Sequence, residues 1–234
     1  MDELDIKSVE GQGTKITGKI FKEGITEKKE ENRDFLLEEG LMEHGTISVP
    51  ATGESYKGDR YVILEYDQKV FLSVIDGLGH GEEAAKSAEE IKDYFLDNYK
   101  DPLTSLLKGA HKNLRSLRGG VVGLAKIDLQ KSTFKCAGAG NIRIRIFGED
   151  QKRHLFPPGT VGRNLNNVRE RKLPYEKGDV VAIYSDGISS KFKVNENKLK
   201  NGDLQESAEH ILDEYGKPED DQTIIISRER IDND

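Results

Sequence analysis

The rhythm of apolar and polar positions changes several times along the chain, and it predicts most of the elements. Residues 46–49 alternate as a half-buried strand does, and 61–66 and 69–75 are nearly continuous apolar runs joined by Asp67-Gln68, which predicts a hairpin. Residues 82–99 then place Ala84, Ala85, Ala88, Ile91, Phe95 and Leu96 on one helical stripe. Residues 102–117, with Pro102 in the first turn, do the same with Leu103, Leu106, Leu107, Ala110 and Leu114. Strands are predicted again at 120–128, 133–139, 141–147, 168–173 and 179–185, separated by Gly-, Asn- and Asp-rich turns. The breaker-rich 156–162 reads as a loop, 203–215 as a helix with Ala208, Ile211 and Leu212 inward, and Ile224-Ile225-Ile226 as a last strand. Hairpin-linked strands make antiparallel sheet, and helices with one apolar stripe must lie against it, so the class is α+β.

The first part of the chain has another texture. Residues 1–21 open charged, pass Gly11-Gln12-Gly13 and alternate over 14–20, which predicts a short strand. Residues 22–44 carry Glu27-Lys28-Lys29-Glu30-Glu31 followed by Phe35, Leu36, Leu37 and Leu41, read as a charged linker running into a short helix. The main domain is expected over 45–230.

Bulk composition narrows the function classes. A chain of 234 residues has room for one large domain with an appendage. Charged residues form 34% and hydrophobic residues 35%, and no apolar run approaches the ~18 residues that span a bilayer. The N-terminus is acidic and polar where a signal peptide is basic and then apolar, so no membrane association and a cytoplasmic location are expected. A net charge of −7 argues against nucleic acid and favours protein partners or metal-bridged phosphates. The single cysteine, Cys136, has no internal disulfide partner and reads as core filler.

The candidate chemistry lies where apolar strands end in acids. The run 70–75 stops at Asp76 and turns through Gly77-Leu78-Gly79-His80-Gly81 into a helix. Asp-Gly also suits an ordinary tight turn, and G-x-G-x-G departs from the dinucleotide fingerprint, in which Asp76 would repel a pyrophosphate. The pattern recurs, however. Asp59 opens the strand preceding that of Asp76, Ser185-Asp186-Gly187 closes 179–185, and Asp220-Asp221-Gln222-Thr223 leads into the last strand. Neighbouring antiparallel strands bring such termini to one sheet edge. Carboxylates without Cys or clustered His suit Mg²⁺ or Mn²⁺, and two such ions about 3.5–4 Å apart serve in-line displacement at phosphorus.

The ordered set Gly58-Asp59, Asp76-Gly77-Leu78-Gly79-His80-Gly81, Arg118-Gly119-Gly120, Ala137-Gly138-Ala139-Gly140-Asn141, Tyr184-Ser185-Asp186-Gly187 and Asp220-Asp221-Gln222-Thr223 resembles the metal-dependent Ser/Thr protein phosphatases, in their SpoIIE and RsbX branch. The resemblance implies an α-β-β-α sandwich of two antiparallel sheets flanked by helices. It also implies two ions, Mn²⁺ or Mg²⁺, with Asp76 bridging, the Gly77 carbonyl and Asp59 on the second ion, and Asp186 and Asp220 on the first. A water between the ions would then attack phosphoserine or phosphothreonine of a regulatory, STAS-type protein in a stress or sigma-factor pathway. Asp76, Asp186 and Asp220 are the catalytic acids on this reading, and Asp221 lies behind them. Larger relatives place a Glu where this chain has Gly58, and their phosphate-gripping Arg has only Arg60 and Arg118 as candidates, each otherwise a surface charge. His80 either donates to the phosphate or caps its turn. Residues 1–21 resemble the last strand-turn-strand of small serine-kinase ATPases but lack their nucleotide boxes; the resemblance implies a kinase-like tail strand or a leftover of a longer kinase–phosphatase arrangement that cannot bind ATP itself, with a kinase-like protein as a candidate partner. The competing function is a phosphatase-fold binding module docking regulators through 22–43.

Overall fold

The computed structural model describes residues 3–9, 13–19, 35–37 and 40–230, and the charged stretch 22–34 lies outside the described residues. The chain divides into two compact units, 1–31 and 32–234. In the first, β1 (Glu3–Val9) and β2 (Gly13–Lys19) form an antiparallel hairpin running from Glu3↔Lys19 to Val9↔Gly13. The strand expected at 14–20 is therefore one arm of a pair.

The second unit contains β3 (Phe35–Leu37), β4 (Met42–Val49), β5 (Asp59–Tyr66), β6 (Lys69–Gly77), α1 (Glu82–Asn98), α2 (Leu103–Asn113), β7 (Gly120–Asp128), β8 (Thr133–Ala139), β9 (Arg143–Phe147), β10 (Lys152–Leu155), β11 (Arg171–Leu173), β12 (Val180–Tyr184), α3 (Glu196–Asn201), α4 (Leu204–Tyr215) and β13 (Gln222–Glu229). One sheet has the order β10-β9-β12-β13-β4 and the other β11-β8-β7-β6-β5-β3. All pairings are antiparallel except β3 with β5.

Alternate residues of each central strand enter different layers. From β6, Val70, Leu72 and Val74 join Val181, Ile183 and Ile225 between the sheets. Phe71 and Ile75 face the other way, against Ala88, Ile91 and Phe95 of α1 and Leu103, Leu106, Leu107 and Ala110 of α2. Beyond the second sheet, Val180, Ala182, Tyr184, Ile224 and Ile226 pack on Leu199, Leu204, Ala208 and Ile211 of α3 and α4. Both faces of these strands are covered, which explains their near-continuous apolar runs. The result is the four-layer α-β-β-α sandwich. Asp67 and Gln68, at φ 48° and 59°, make the tight β5–β6 turn whose twist matches the flanking strands. At the start of α4, the Asp203 carboxylate accepts from the amides of Gln205 and Glu206 at 2.6 and 3.2 Å.

Some expectations need correcting. Phe35–Leu37 is a strand rather than part of a short helix, because it completes the edge of β5; β4 begins at Met42, before the expected boundary at 45. Only Arg171–Leu173 of the predicted 168–173 pairs with a neighbour, and β9 starts at Arg143 because Gly140, at φ 101°, turns the chain first. α2 stops at Asn113, and β13 runs well past the isoleucines.

Candidate functional site

Two strand pairs deliver the acids. Asp59 and Asp76 stand directly opposite each other in the β5–β6 register, so their side chains leave the same face of the sheet. In the other sheet Tyr184 pairs with Ile224, and the Ser185 amide extends the pairing to the Thr223 carbonyl at 3.0 Å. Asp186 and Asp220-Asp221 follow and precede these strands at one rim.

The rims face each other, since Ser185 reaches Asp59 and Asp221 reaches the Gly58 amide across the two sheets. Burial, then repulsion from Asp186, Asp220 and Asp221, pushes the Asp76 carboxyl from 3.8 up to about 8. No hydrogen-bond donor among the described residues relieves it. Asp59 is held well above the usual carboxylate range by burial and by Asp76, against hydrogen bonds from Ser185 and Thr223 that lower it. Burial and Asp186 likewise raise Asp220.

Hydrogen bonds fix the supporting parts. Ser185 Oγ donates to Asp59 Oδ2 at 2.7 Å and accepts from the Thr223 amide at 3.1 Å, tying the two sheets together beneath the acids. Asn141 Nδ2 donates to Asp186 Oδ2 at 2.7 Å and aims that carboxylate. Asp221 accepts from the amides of Ala51 and Gly58 at 2.9 and 2.6 Å, so it anchors the loop between β4 and β5. A Cβ on Gly58 would lie 2.7 Å from Asp221 Oδ2, so a larger residue there would displace the anchor. At Gly77 a Cβ would lie 2.2 Å from the Ala84 carbonyl oxygen, because α1 packs its first turn directly on the strand end. Only glycine lets the helix approach that closely.

The phosphate candidates separate. Arg60 is neither a surface charge nor exposed to a substrate: it is 1% exposed, and its guanidinium donates to Glu89 Oε2 and to the carbonyls of Lys57 and Asp59, each at 2.7 Å. Arg118 is half-exposed, paired with Glu83 on the first turn of α1, and its Nη1 lies 3.1 Å from where a Gly79 Cβ would stand. It therefore lies over the glycine turn. His80 is exposed, its Nδ1 3.5 Å from Glu54 Oε1. The motif containing Asn141 was visible in the sequence, but its role toward Asp186 was not, since the contact depends on the facing loop.

Another polar trio imitates a hydrolase triad. His44 Nδ1 lies 2.8 Å from Ser227 Oγ and Nε2 3.0 Å from Glu65 Oε1. Glu65 and Ser227 are fully buried, so no substrate reaches them, and the trio joins β4, β5 and β13 instead.

The acids suit a hard divalent cation. Among the described residues no three Asp, Glu, His or Cys side chains already stand close enough to ligate a common point. Among the described residues Asp59 Oδ1 is nevertheless buried without a partner and Asp76 has no donor, and the repulsion of Asp59 by Asp76 is of the kind that a dication relieves. Every candidate ligand atom is an oxygen, as Mg²⁺ and Mn²⁺ prefer.

Comparison with known proteins agrees with this geometry. The family model of stage II sporulation protein E (SpoIIE) matches residues 66–230. The phosphoserine phosphatase RsbX of Bacillus subtilis (strain 168) is 26% identical over 181 residues, covering 75% of this chain and 89% of its own. A protein solved in work on the bacterial stressosome as a modular system adapted to control secondary-messenger signalling superposes with a TM-score of 0.75 at 30% identity, over 80% of this chain and 99% of its own. An RsbX crystal structure in complex with magnesium superposes with a TM-score of 0.73 at 23% identity, over 83% of this chain and 98% of its own.

Proposed function

We propose, from the premise that this chain belongs to the SpoIIE family, that it is a metal-dependent phosphatase acting on phosphoserine or phosphothreonine of a regulatory protein. The observation that carries the reading is the convergence of acids from four separate strand ends, with Asp76 facing Asp186, Asp220 and Asp221 and supplied with no donor. A scaffold gains nothing from gathering charges that repel.

On this reading Asp59, Asp76, Asp186, Asp220 and the Gly77 carbonyl would hold two divalent ions, Mn²⁺ or Mg²⁺. When bound, such ions supply Lewis acidity toward phosphoryl oxygens and a water acidic enough to attack near neutral pH. The chain's own residues do the positioning. Asn141 fixes the Asp186 carboxylate, Ser185 holds Asp59 behind Asp76, and Asp221 keeps the loop before β5 closed on the site. Arg118, lying over the turn and already paired with a carboxylate, exchanges Glu83 for the substrate phosphate. His80, exposed at the rim, is placed to donate to a phosphoryl or leaving-group oxygen. Arg60 takes no part beyond holding β5 to α1.

The substrate is proposed as a STAS-type phosphoprotein of a stress or sigma-factor pathway, encountered in the cytoplasm. Support comes from similarity to RsbX, named a phosphoserine phosphatase, and to a protein of stressosome work. A kinase-like partner is proposed for the segment that carries the β1–β2 hairpin. The phosphatase domain is taken to extend to about residue 230 from β4, with β3 as its edge strand. The test is phosphate release from a phosphoserine protein with Mn²⁺, compared with EDTA and with Asp76→Asn. Turnover indifferent to both treatments would sink the reading.

A further inference from the structure

The edge strands β10 and β11 belong to different sheets, yet they wall one groove of about 480 Å³. Leu155, Phe156 and Pro157 give it an apolar side, and Arg169 and Arg171 a basic one, next to the His154 imidazole, which burial and Arg171 hold below its usual range. Leu155 is 64% exposed, the most of any large apolar side chain among the described residues, and it adjoins Phe156 and Pro157 in the same groove. Neither Arg169 nor Arg171 has a carboxylate partner among the described residues. Glu170, between them, pairs with Lys135 at 2.8 Å instead. Two unpaired guanidinium groups thus gather in the groove of a protein whose net charge is −7.

The groove also leads to the acids. The Pro157 carbonyl accepts from the Gly140 amide at 2.9 Å, and the next residue, Asn141, is the one that donates to Asp186. A peptide lying in the groove therefore reaches the site within a few residues. Both edges expose unpaired backbone groups along which an extended segment can lie.

We infer that this groove docks an extended, acidic segment of the phosphoprotein, with its carboxylates on Arg169 and Arg171 and an apolar side chain against Leu155, Phe156 and Pro157. The inference rests on the phosphatase reading for the identity of the occupant. The rest of the acidic surface repels such a segment, so the basic strip also sets its direction into the site.

The test is fluorescence anisotropy on the full chain carrying Asp76→Asn, which leaves the peptide intact. The probes are a phosphoserine peptide flanked by glutamates and one flanked by glutamines, each with a leucine beside the run. The glutamate peptide should bind about tenfold tighter, and added salt should erode the preference. Arg169→Glu with Arg171→Glu should abolish it, and the milder Arg169→Gln with Arg171→Gln should reduce it. A preference that survives charge reversal, or no preference in the parent, overturns the inference. The phosphatase reading is judged separately, by hydrolysis of the glutamine peptide by the unsubstituted chain with Mn²⁺. Its failure there would leave the docking preference still measurable.

Discussion

Replacing Asp76 by Asn should stabilise the metal-free protein while abolishing its turnover. The Asp76 carboxyl is pushed from 3.8 to about 8 by burial and by Asp186, Asp220 and Asp221. At ~1.4 kcal/mol for each tenfold, that separation has a ceiling of about 6 kcal/mol. The residue is only partly buried, and water and movement of the facing loops relieve part of the strain, so about 2–3 kcal/mol is the working figure. The folded state keeps a proton that the unfolded chain has released between pH 3.8 and about 8. Stability of the metal-free protein therefore declines as pH rises through that window. Asn at 76 carries no charge, so this part of the decline disappears, and at about pH 8 the melting temperature rises by roughly 5–10 °C. Differential scanning fluorimetry in EDTA across this range reads both quantities. Mn²⁺ or Mg²⁺ should then raise the melting temperature of the original protein much more than that of the variant. If Asp76→Asn destabilises the EDTA-treated protein, or leaves its pH slope intact, the acids do not face one another as described.

Other substitutions separate structural from functional parts. Gly77→Ala puts a methyl group 2.2 Å from the Ala84 carbonyl oxygen and forces α1 away from β6; urea denaturation should show a loss of about 2–3 kcal/mol. Arg60→Ala should cost about 2–4 kcal/mol because its buried guanidinium joins β5 to Glu89 on α1. Arg118→Ala should change stability by under about 0.5 kcal/mol yet raise KM for a phosphorylated substrate several-fold, as steady-state kinetics will show. Glu65 is pulled below the usual carboxylate range, burial being outweighed by hydrogen bonds from His44 and the amides of Leu41 and Met42. Its contribution is present above pH 4.5 and lost as pH falls through the lower folded value, so Glu65→Gln should flatten the acid limb of a melting-temperature profile.

Much of this architecture was legible because its strands are covered on both faces. Continuous apolar runs gave β6, β7, β8 and β12 nearly to the residue, and the pairing of Asp59 with Asp76 followed from the hairpin between them. What escaped depends on partners distant in sequence. β10, Lys152–Leu155, is a polar edge strand with no alternation to announce it. α3 is six residues long and buries only Leu199, so its stripe is too short to detect. Phe35–Leu37 looked helical among charged neighbours, and becomes a strand only because β5 offers an edge. Arg60 read as a surface charge because nothing nearby in sequence discloses that Glu89 of α1 covers it. Ser185 and Asn141 were part of recognisable motifs, yet their contacts with Asp59 and Asp186 required both sheets to be in place.

The convergence of these acids on divalent ions is tested most directly by anomalous scattering from crystals soaked in a manganese salt. The account predicts two peaks at the sheet rim, one ringed by Asp76, Asp186 and Asp220 and one on the side of Gly77 and Asp59. Manganese bound only elsewhere on the surface, or no ordered peak beside Asp76 at saturating concentration, would contradict it.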